Sequence, residues 1–250
     1  MNTGPLDALP TRAQIAHLIT QRRPPRDTLP GWQHFRETRG LLVPPPMLTA
    51  AQWRLVPEDR RTDFDLFRRL TNVNLPIQDT PMSAKVSRLI HRRLLGNALK
   101  QDDPTLSGIM VSGSGNHGKT ATVCSVGAFF EDMWLDLHQQ LNPTAVEGTI
   151  DLHAPVVYVQ TPVTATPKSL CQTILAFFGA ASKGLTLPQL IRQVSQSLQD
   201  HGVRALIVDF TDRRSSDTGS ELRRFIDYMS VTVPLQLLVS PVGVVLDFVA

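Results

Sequence analysis

The fold of this chain is decided by Gly113-Ser114-Gly115-Asn116-His117-Gly118-Lys119-Thr120, which follows the apolar residues Ile109-Met110-Val111. The stretch fits the phosphate-binding P-loop pattern G-x-x-x-x-G-K-[ST], between a predicted strand and a predicted helix. A glycine-rich turn lets backbone N–H groups converge on phosphate oxygens, and the following helix presents its positive N-terminal end to them. The stretch therefore predicts a nucleoside triphosphate site. The alternative is a Gly/Ser loop that only caps a helix.

The pattern predicts a role for three individual side chains of this stretch. Lys119 is expected to reach the β- and γ-phosphates, and the hydroxyl of Thr120 is expected to hold Mg²⁺. His117 lies inside the loop and is most simply a solvent-facing turn residue. ATP and Mg²⁺ are therefore the expected cofactors.

Such a loop requires a carboxylate at the end of another strand to organise the magnesium shell. The run Leu206-Ile207-Val208-Asp209 provides it, and Asp209 is predicted to be the Walker B residue; the alternative is an aspartate that caps a turn. Ser240 ends the last predicted strand, at the carboxyl edge where such sheets bind ligands, and is expected to face the γ-phosphate. A serine in a turn before Pro241 fits this position equally well.

Hydrolysis is less well supported than binding. In many ATPases the residue after the Walker B aspartate is a glutamate that polarises the attacking water, but this chain has Phe210 there, which cannot act as a base. Asp212 is the remaining candidate for a general base, if the strand end is bulged. The sequence therefore leaves open whether the protein is an ATPase enzyme.

Composition is that of an ordinary globular chain, with 42% hydrophobic and 19% charged residues. The sequence contains no apolar run of about 18 residues and no signal-peptide pattern at its start, so no membrane association is expected. Cys124 and Cys171 fall on predicted apolar helix faces, which favours buried free thiols over a disulfide or a metal site. The expected compartment is the reducing cytoplasm.

Charge is distributed unevenly along the chain. Residues 1–100 carry 16 Lys and Arg against 8 Asp and Glu, a net charge of +8, whereas the remaining residues carry 9 against 14, a net charge of −5. This asymmetry fits a basic arm or face that meets a polyanion or an acidic partner, and it fits a set of solvated helix faces equally well.

The chain divides into an extension and a core. Residues 1–52 are rich in proline and arginine and are predicted to form a basic, irregular or extended N-terminal arm, apart from a short helix around Ile15. The core covers 53–250, with two leading helices in 53–100 and an alternation of strands and helices in 108–250. Short β-branched strands between amphipathic helices indicate an α/β fold, a parallel sheet sandwiched by helices.

The strands of this core are predicted at 108–111, 156–159, 205–208 and 235–239, and its helices at 119–137, from Pro167 to just before Gly179, at 190–198 and at 222–229. Thr166 is expected to cap the second of these helices, since Pro167 then occupies the first helical position, where its missing N–H costs nothing.

Several of these residues together carry a family resemblance. The P-loop has Asn116-His117 before its last glycine, Thr80-Pro81 begins the helix upstream of the loop, and the strand Pro155–Gln160 precedes Thr166-Pro167-Lys168. In these features the region from Trp53 to Ser240 resembles the AAA+ ATPases of the TniB/TnsC type, which are ATP-dependent regulators of transposition. Of these motifs, only the P-loop is specific on its own.

The resemblance implies a P-loop NTPase fold of the AAA+ type and an ATP-loaded homo-oligomer that coats or encircles DNA and passes target-site information to a transposase. It places Lys119, Thr120 and Asp209 at the nucleotide and Thr80 and Pro81 near the adenine. The chain departs from the family pattern at Phe210. The C-terminal lid, with its second sensor arginine, is expected to be absent or very short, because the chain stops soon after the last predicted strand.

The arginine finger has four candidates, which are otherwise solvated helix charges: Arg213, Arg214, Arg223 and Arg224. Two further functions remain open beside the transposition regulator. One is a degenerate nucleotide-binding interaction module with weak or no hydrolysis, which Phe210 favours. The other is a P-loop signalling or defence ATPase whose N-terminal arm binds protein and not DNA.

Overall fold

The computed structural model describes residues 11–20, 23–40, 42–74, 80–100, 108–111, 118–146, 149, 153–161, 166–210 and 236–240, without the side chains of 210 and 236–240. The chain forms two compact units, one from Met1–Pro24 and His34–Gln78, the other from Pro25–Gln33 and Asp79–Ala250. The second unit thus contains a short N-terminal segment beside the predicted nucleotide-binding core.

Twelve elements occur in the described residues. The helices before the sheet are α1 (Arg12–Thr20), α2 (Leu29–Thr38), α3 (Ala50–Leu55), α4 (Glu58–Val73) and α5 (Pro81–Ala98). The α/β part consists of β1 (Ile109–Met110), α6 (Lys119–Leu141), β2 (Val156–Thr161), α7 (Pro167–Phe177), α8 (Leu187–Asp200), β3 (Ala205–Phe210) and β4 (Gln236–Ser240). The helix predicted at 222–229 lies outside the described residues.

The four strands form one sheet in the order β1-β4-β3-β2, and all neighbouring pairs are parallel. The carboxyl ends of the strands therefore lie at one edge. At that edge Asp209 of β3 is in register with Gln160 of β2 on one side and Ser240 of β4 on the other.

Strand β2 shows that both faces of the sheet are covered. Val156 and Val157 point to opposite faces, and both are completely buried. On one face, α6 approaches so closely that a Cβ added at Gly127 would lie 2.6 Å from Cδ1 of Ile207 and 3.5 Å from Cγ1 of Val156. A larger residue at this position would therefore force the side chain of Ile207 to shift.

Helix boundaries follow local capping chemistry. Thr166 caps α7 by accepting from the backbone N–H of Ser169, Pro167 occupies the first turn, and Gly179 has a left-handed φ of 71° just past the helix end. The cap and stop predicted for this helix are confirmed. The same N-terminal pattern begins α5, where Thr80 accepts from the N–H of Ser83.

The region expected to be irregular contains helices besides the one predicted around Ile15. Helix α2 begins after Thr28, whose hydroxyl accepts from the N–H of Gly31, and Pro30 lies in the first turn, where no intrahelical N–H is needed. The expectation of irregular structure was wrong for α2 because a proline in a first turn does not break a helix. Trp32 of this helix is completely buried.

In the first unit α1 contacts α4, and the buried hydrophobic residues among those described are Ile15, Val56, Phe64 and Phe67. Trp53 of α3 packs edge-on against Phe64, with ring centroids 5.5 Å apart. These aromatic and aliphatic contacts give the first unit a small core of its own.

Both cysteines, Cys124 and Cys171, are free and buried, as predicted. Across the described ranges, no helix has the length and apolar composition needed to cross a membrane. The same ranges hold no cluster of three or more His, Cys, Asp or Glu side chains arranged for a metal ion.

Candidate functional site

The last glycine of the P-loop pattern lies at the N-terminus of α6. Gly118 has φ 71° and ψ 17°, in the left-handed region that residues other than glycine rarely adopt. Its carbonyl accepts from the N–H of Thr122 at 2.8 Å. Lys119 and Thr120 follow in the first turn, at the positive end of the helix. Residues Gly113 to His117 lie outside the described residues.

Thr120 and Asp209 meet at the carboxyl edge of the sheet. Oγ1 of Thr120 donates to Oδ2 of Asp209 at 2.9 Å, although the two residues are 89 positions apart in the sequence. Asp209 is only 6% exposed. The structure therefore joins the P-loop helix to the carboxylate at the end of β3.

Tyr158 of β2 is the second donor to the same carboxylate. Its Oη donates to Oδ2 of Asp209 at 3.0 Å, and Oγ1 of Thr161 donates to the backbone carbonyl of Asp209 at 3.3 Å. Burial, followed by the neighbouring Cys124 and Asp209, raises the pKa of Tyr158, so this hydroxyl keeps its proton and acts as a donor. Within the described part of the chain, both side-chain bonds to the carboxylate go to Oδ2.

These groups fit Mg²⁺. A threonine hydroxyl and a carboxylate are the hard oxygen ligands that this ion prefers, and here they lie 2.9 Å apart beside a helix N-terminus. With Oδ2 engaged by Thr120 and Tyr158, Oδ1 is the carboxylate oxygen left for the ion or a water of its shell. A bound magnesium would neutralise charge on the phosphates.

A segment from the N-terminal region covers Tyr158. The ring of Trp32 stacks on the ring of Tyr158, with centroids 6.0 Å apart and an interplanar angle of 16°, and its Nε1 donates to Oε2 of buried Glu131 on α6. The guanidinium of Arg26 lies 6.0 Å from the centroid of the Tyr158 ring. Both residues belong to the same unit as the sheet.

Cys124, one turn beyond Thr120 in α6, also contacts this segment. Burial raises the pKa of its thiol to about 11, and the positive charge of nearby Arg26 offsets part of that rise. The thiol is therefore neutral at physiological pH and serves as a buried packing group.

The other predicted site residues lie on the sheet, at the start of α5 or outside the described residues. Ser240 is in register with Asp209, and Phe210 continues β3 opposite Thr161. The hydrogen bonds of Thr80 are those of the α5 cap, with Pro81 in the first turn, and their place near the adenine stays a prediction. Asp212 and the four arginine-finger candidates lie outside the described residues.

Sequence reasoning missed Tyr158, Arg26 and Trp32. Strand alternation could have found the tyrosine, because Tyr158 pairs with Ile207, two positions before Asp209, and so points to the same face as the aspartate. No local pattern marks Arg26 or Trp32, since their partners lie about 100 positions or more along the chain.

The family model described as an AAA domain matches residues 107–241, more than half of the 250 residues. The chain belongs to this AAA domain family. The match begins just before β1 and ends just after β4, so it includes the P-loop stretch, Asp209 and Ser240. No curated protein matches the chain.

Membership of the AAA domain family confirms the P-loop NTPase fold predicted from the sequence, in which a parallel sheet is combined with helices. It also supports nucleotide binding, since proteins with AAA domains generally use ATP and Mg²⁺. Arg26, Trp32 and α5 lie outside the matched residues.

Proposed function

We propose that this AAA domain protein binds ATP and Mg²⁺ and acts as a nucleotide-dependent, DNA-associated regulator of transposition of the TniB/TnsC type. One observation carries the nucleotide part of the proposal, namely the hydrogen bond of 2.9 Å between Thr120 and Asp209. It places a hydroxyl and a carboxylate together where a P-loop helix meets the carboxyl edge of a parallel sheet.

In this proposal the backbone of 113–120 cradles the phosphates and Lys119 reaches the β- and γ-phosphates. Thr120 and Asp209 hold Mg²⁺, and Ser240 faces the γ-phosphate from the neighbouring strand. Asp212 remains the candidate base for hydrolysis, because Phe210 cannot take a proton. The proposed compartment is the cytoplasm.

Helix α5 supports the DNA part of the proposal. Lys85, Arg88 and Arg92 are exposed and spaced by three and four residues, so they line one stripe of the helix. The sequence of α5 contains no Asp or Glu. Such a stripe suits contacts with the phosphate backbone, which are sequence-independent and depend strongly on salt. In the proposal, ATP also promotes self-assembly, and a transposase is the protein partner.

A binding assay with random-sequence duplex DNA, ATP and Mg²⁺ tests this surface. We expect affinity to fall steeply between about 50 and 200 mM salt. Combined replacement of Lys85, Arg88 and Arg92 by Glu should weaken binding and flatten the salt dependence. The matched control replaces Lys183 and Arg192, two exposed basic residues of the acidic part of the chain, by Glu. If the protein did not bind DNA in the presence of ATP, or if its DNA affinity did not depend on salt, the DNA proposal would be wrong.

The alternative function is a nucleotide-binding interaction module that has lost turnover, and Phe210 after Asp209 favours it. Steady-state ATPase activity with and without DNA separates the two functions, with Lys119→Ala as the control for contaminating activity. DNA-stimulated turnover that Lys119→Ala abolishes would exclude the degenerate module. A signalling or defence ATPase remains the third candidate, and it would bind a protein through its basic half while ignoring DNA.

A further inference from the structure

We propose that Tyr158 is a positioning residue for Asp209, and that Arg26 and Trp32 hold Tyr158 in place, so that the segment Pro25–Gln33 completes the nucleotide site. This inference rests on the proposed binding of ATP and Mg²⁺. It adds a chain segment about 80 residues before the family match to the site.

Two hydrogen bonds orient the carboxylate of Asp209. Thr120 and Tyr158 donate to the same oxygen, Oδ2 of Asp209, at 2.9 and 3.0 Å. Two donors from different elements, α6 and β2, fix the rotation of the carboxylate about its Cβ–Cγ bond. Outer groups of this kind orient the inner ligands of a metal ion and tune its affinity. Oδ1 is thereby directed away from the buried hydroxyl of Tyr158.

Trp32 anchors the segment Pro25–Gln33 on α6. Trp32 is completely buried, and its indole N–H donates to the carboxylate of Glu131, which is itself 2% exposed. The indole also lies near Gly127 of the same helix, where an added Cβ would lie 3.5 Å from Cη2 of Trp32. The segment is therefore fitted to the helix that follows the P-loop.

The same segment also contacts Tyr158. Trp32 stacks on the tyrosine ring, and the guanidinium of Arg26 lies over the ring at 6.0 Å from its centroid. A cation placed over an aromatic ring is attracted to it. The same arginine also lies near Cys124 of α6, since its charge opposes the rise in the pKa of that thiol. Rotation of the tyrosine ring away from Asp209 would break contacts with both residues.

The central test is Tyr158→Phe, which removes only Oη and keeps the ring that Trp32 and Arg26 contact. Affinity for a non-hydrolysable ATP analogue is measured by titration with and without Mg²⁺, together with the melting temperature. We expect the affinity in Mg²⁺ to fall about tenfold, while the affinity without Mg²⁺ stays close to wild type. The melting temperature should fall only slightly, because Asp209 keeps Thr120 as a donor.

Arg26→Gln tests whether the N-terminal segment acts through the tyrosine. We expect it to lower the affinity in Mg²⁺ by about three- to fivefold in the wild-type background and to have no further effect beside Tyr158→Phe, because the hydroxyl it positions is then gone. The matched control is Arg23→Gln, which removes an exposed arginine of the same region that bonds Asn74 in the first unit.

Several results would overturn the inference. These are an unchanged affinity of Tyr158→Phe in Mg²⁺, a loss that is equal with and without Mg²⁺, or full additivity of Arg26→Gln and Tyr158→Phe. If the wild-type protein bound no ATP analogue under either condition, the proposed function would fail and this inference with it. The wild-type titration therefore distinguishes a failure of the proposed nucleotide binding from a failure of the role inferred for Tyr158.

Discussion

At the scale of single residues, one oxygen atom connects three elements of the site. Oδ2 of Asp209 on β3 accepts from Thr120 on α6 and from Tyr158 on β2. Since a buried carboxylate is costly without hydrogen-bond donors or a cation, these donors stabilise the site when no ion is bound. A divalent ion at Oδ1 would complete the neutralisation.

Thr120→Val tests the role of the hydroxyl on that oxygen. Valine keeps the shape of threonine, but it can neither donate to Asp209 nor hold Mg²⁺. We expect the affinity for ATP in Mg²⁺ to fall about 10- to 100-fold, measured by titration with a fluorescent ATP analogue. Thr122→Val, two positions along the same helix, is the matched control and should bind like wild type. Equal binding by the two variants would contradict the assigned role.

Much of the site at this scale could be predicted because its motifs are local. The P-loop pattern and the strand ending in Asp209 each occupy a few consecutive residues, and the structure brings Thr120 and Asp209 together. Tyr158 could not be assigned in the same way, because its role arises from the register between β2 and β3, which no single segment encodes.

At the scale of elements, the packing of α6 on the sheet depends on Gly127. The helix passes so close to β3 that a Cβ at this position would lie only 2.6 Å from Cδ1 of Ile207, which would have to shift. Gly96 in α5 provides a comparison, because it is exposed and a Cβ there would meet nothing within 4 Å.

We therefore expect alanine to have opposite effects at the two glycines. Gly96→Ala should raise the free energy of unfolding by about 0.5–1 kcal/mol, since alanine favours a helix interior. Gly127→Ala should lower it by about 1–3 kcal/mol, because displacement of Ile207 outweighs that gain. Urea unfolding of both variants checks the pair. A stabilising effect of Gly127→Ala would contradict this prediction, because it would mean that the helix and the sheet can move apart without loss of stability.

Element boundaries were predictable where caps determine them. Thr166, Pro167 and Gly179 mark both ends of α7, and the predicted cap and stop agree with the structure. Helix α2 was missed because residues 1–52 are rich in proline and arginine, whereas Trp32 of this helix is buried against residues far along the chain. Tertiary contacts of this range are invisible to local propensity.

At the scale of the whole molecule, stability should depend on pH through His153. Its ring stacks on that of His201 at 4.7 Å, and burial, followed by His201, lowers the pKa of His153 below its ordinary value of 6.5. The unfolded chain therefore binds this proton more readily than the folded chain. The contribution is complete above pH 6.5 and is lost as the pH falls from there through the lowered pKa.

We expect the melting temperature of the wild-type protein to fall as the pH is lowered from about 7.5 to about 5.5, and His153→Asn to reduce that fall. Asparagine stays neutral over this range, so it removes the proton that the unfolded state gains. Scanning calorimetry at several pH values checks the difference between the two proteins. Identical pH profiles would show that His153 does not contribute.

The boundary of the nucleotide-binding unit is the second property of the whole molecule. The sequence placed the core at 53–250, but contact with Glu131 and Tyr158 makes Trp32 part of the same unit. A chain that begins at Trp53 would leave the face over Tyr158 uncovered. Trp32→Ala in the full chain creates the same vacancy without removing any other residue, so it isolates the contribution of this side chain.

We expect Trp32→Ala to lower the free energy of unfolding of the nucleotide-binding unit by about 3–5 kcal/mol, and the chain 53–250 to be destabilised at least as much. Urea unfolding, followed through the protection of the nucleotide-binding unit against proteolysis, checks both proteins. The chain 25–250 is the matched truncation, because it keeps Pro25–Gln33 and should protect this unit as the full chain does. If 53–250 resisted urea as well as 25–250, the AAA domain would fold without the N-terminal segment, and Arg26 and Trp32 would be dispensable for its structure.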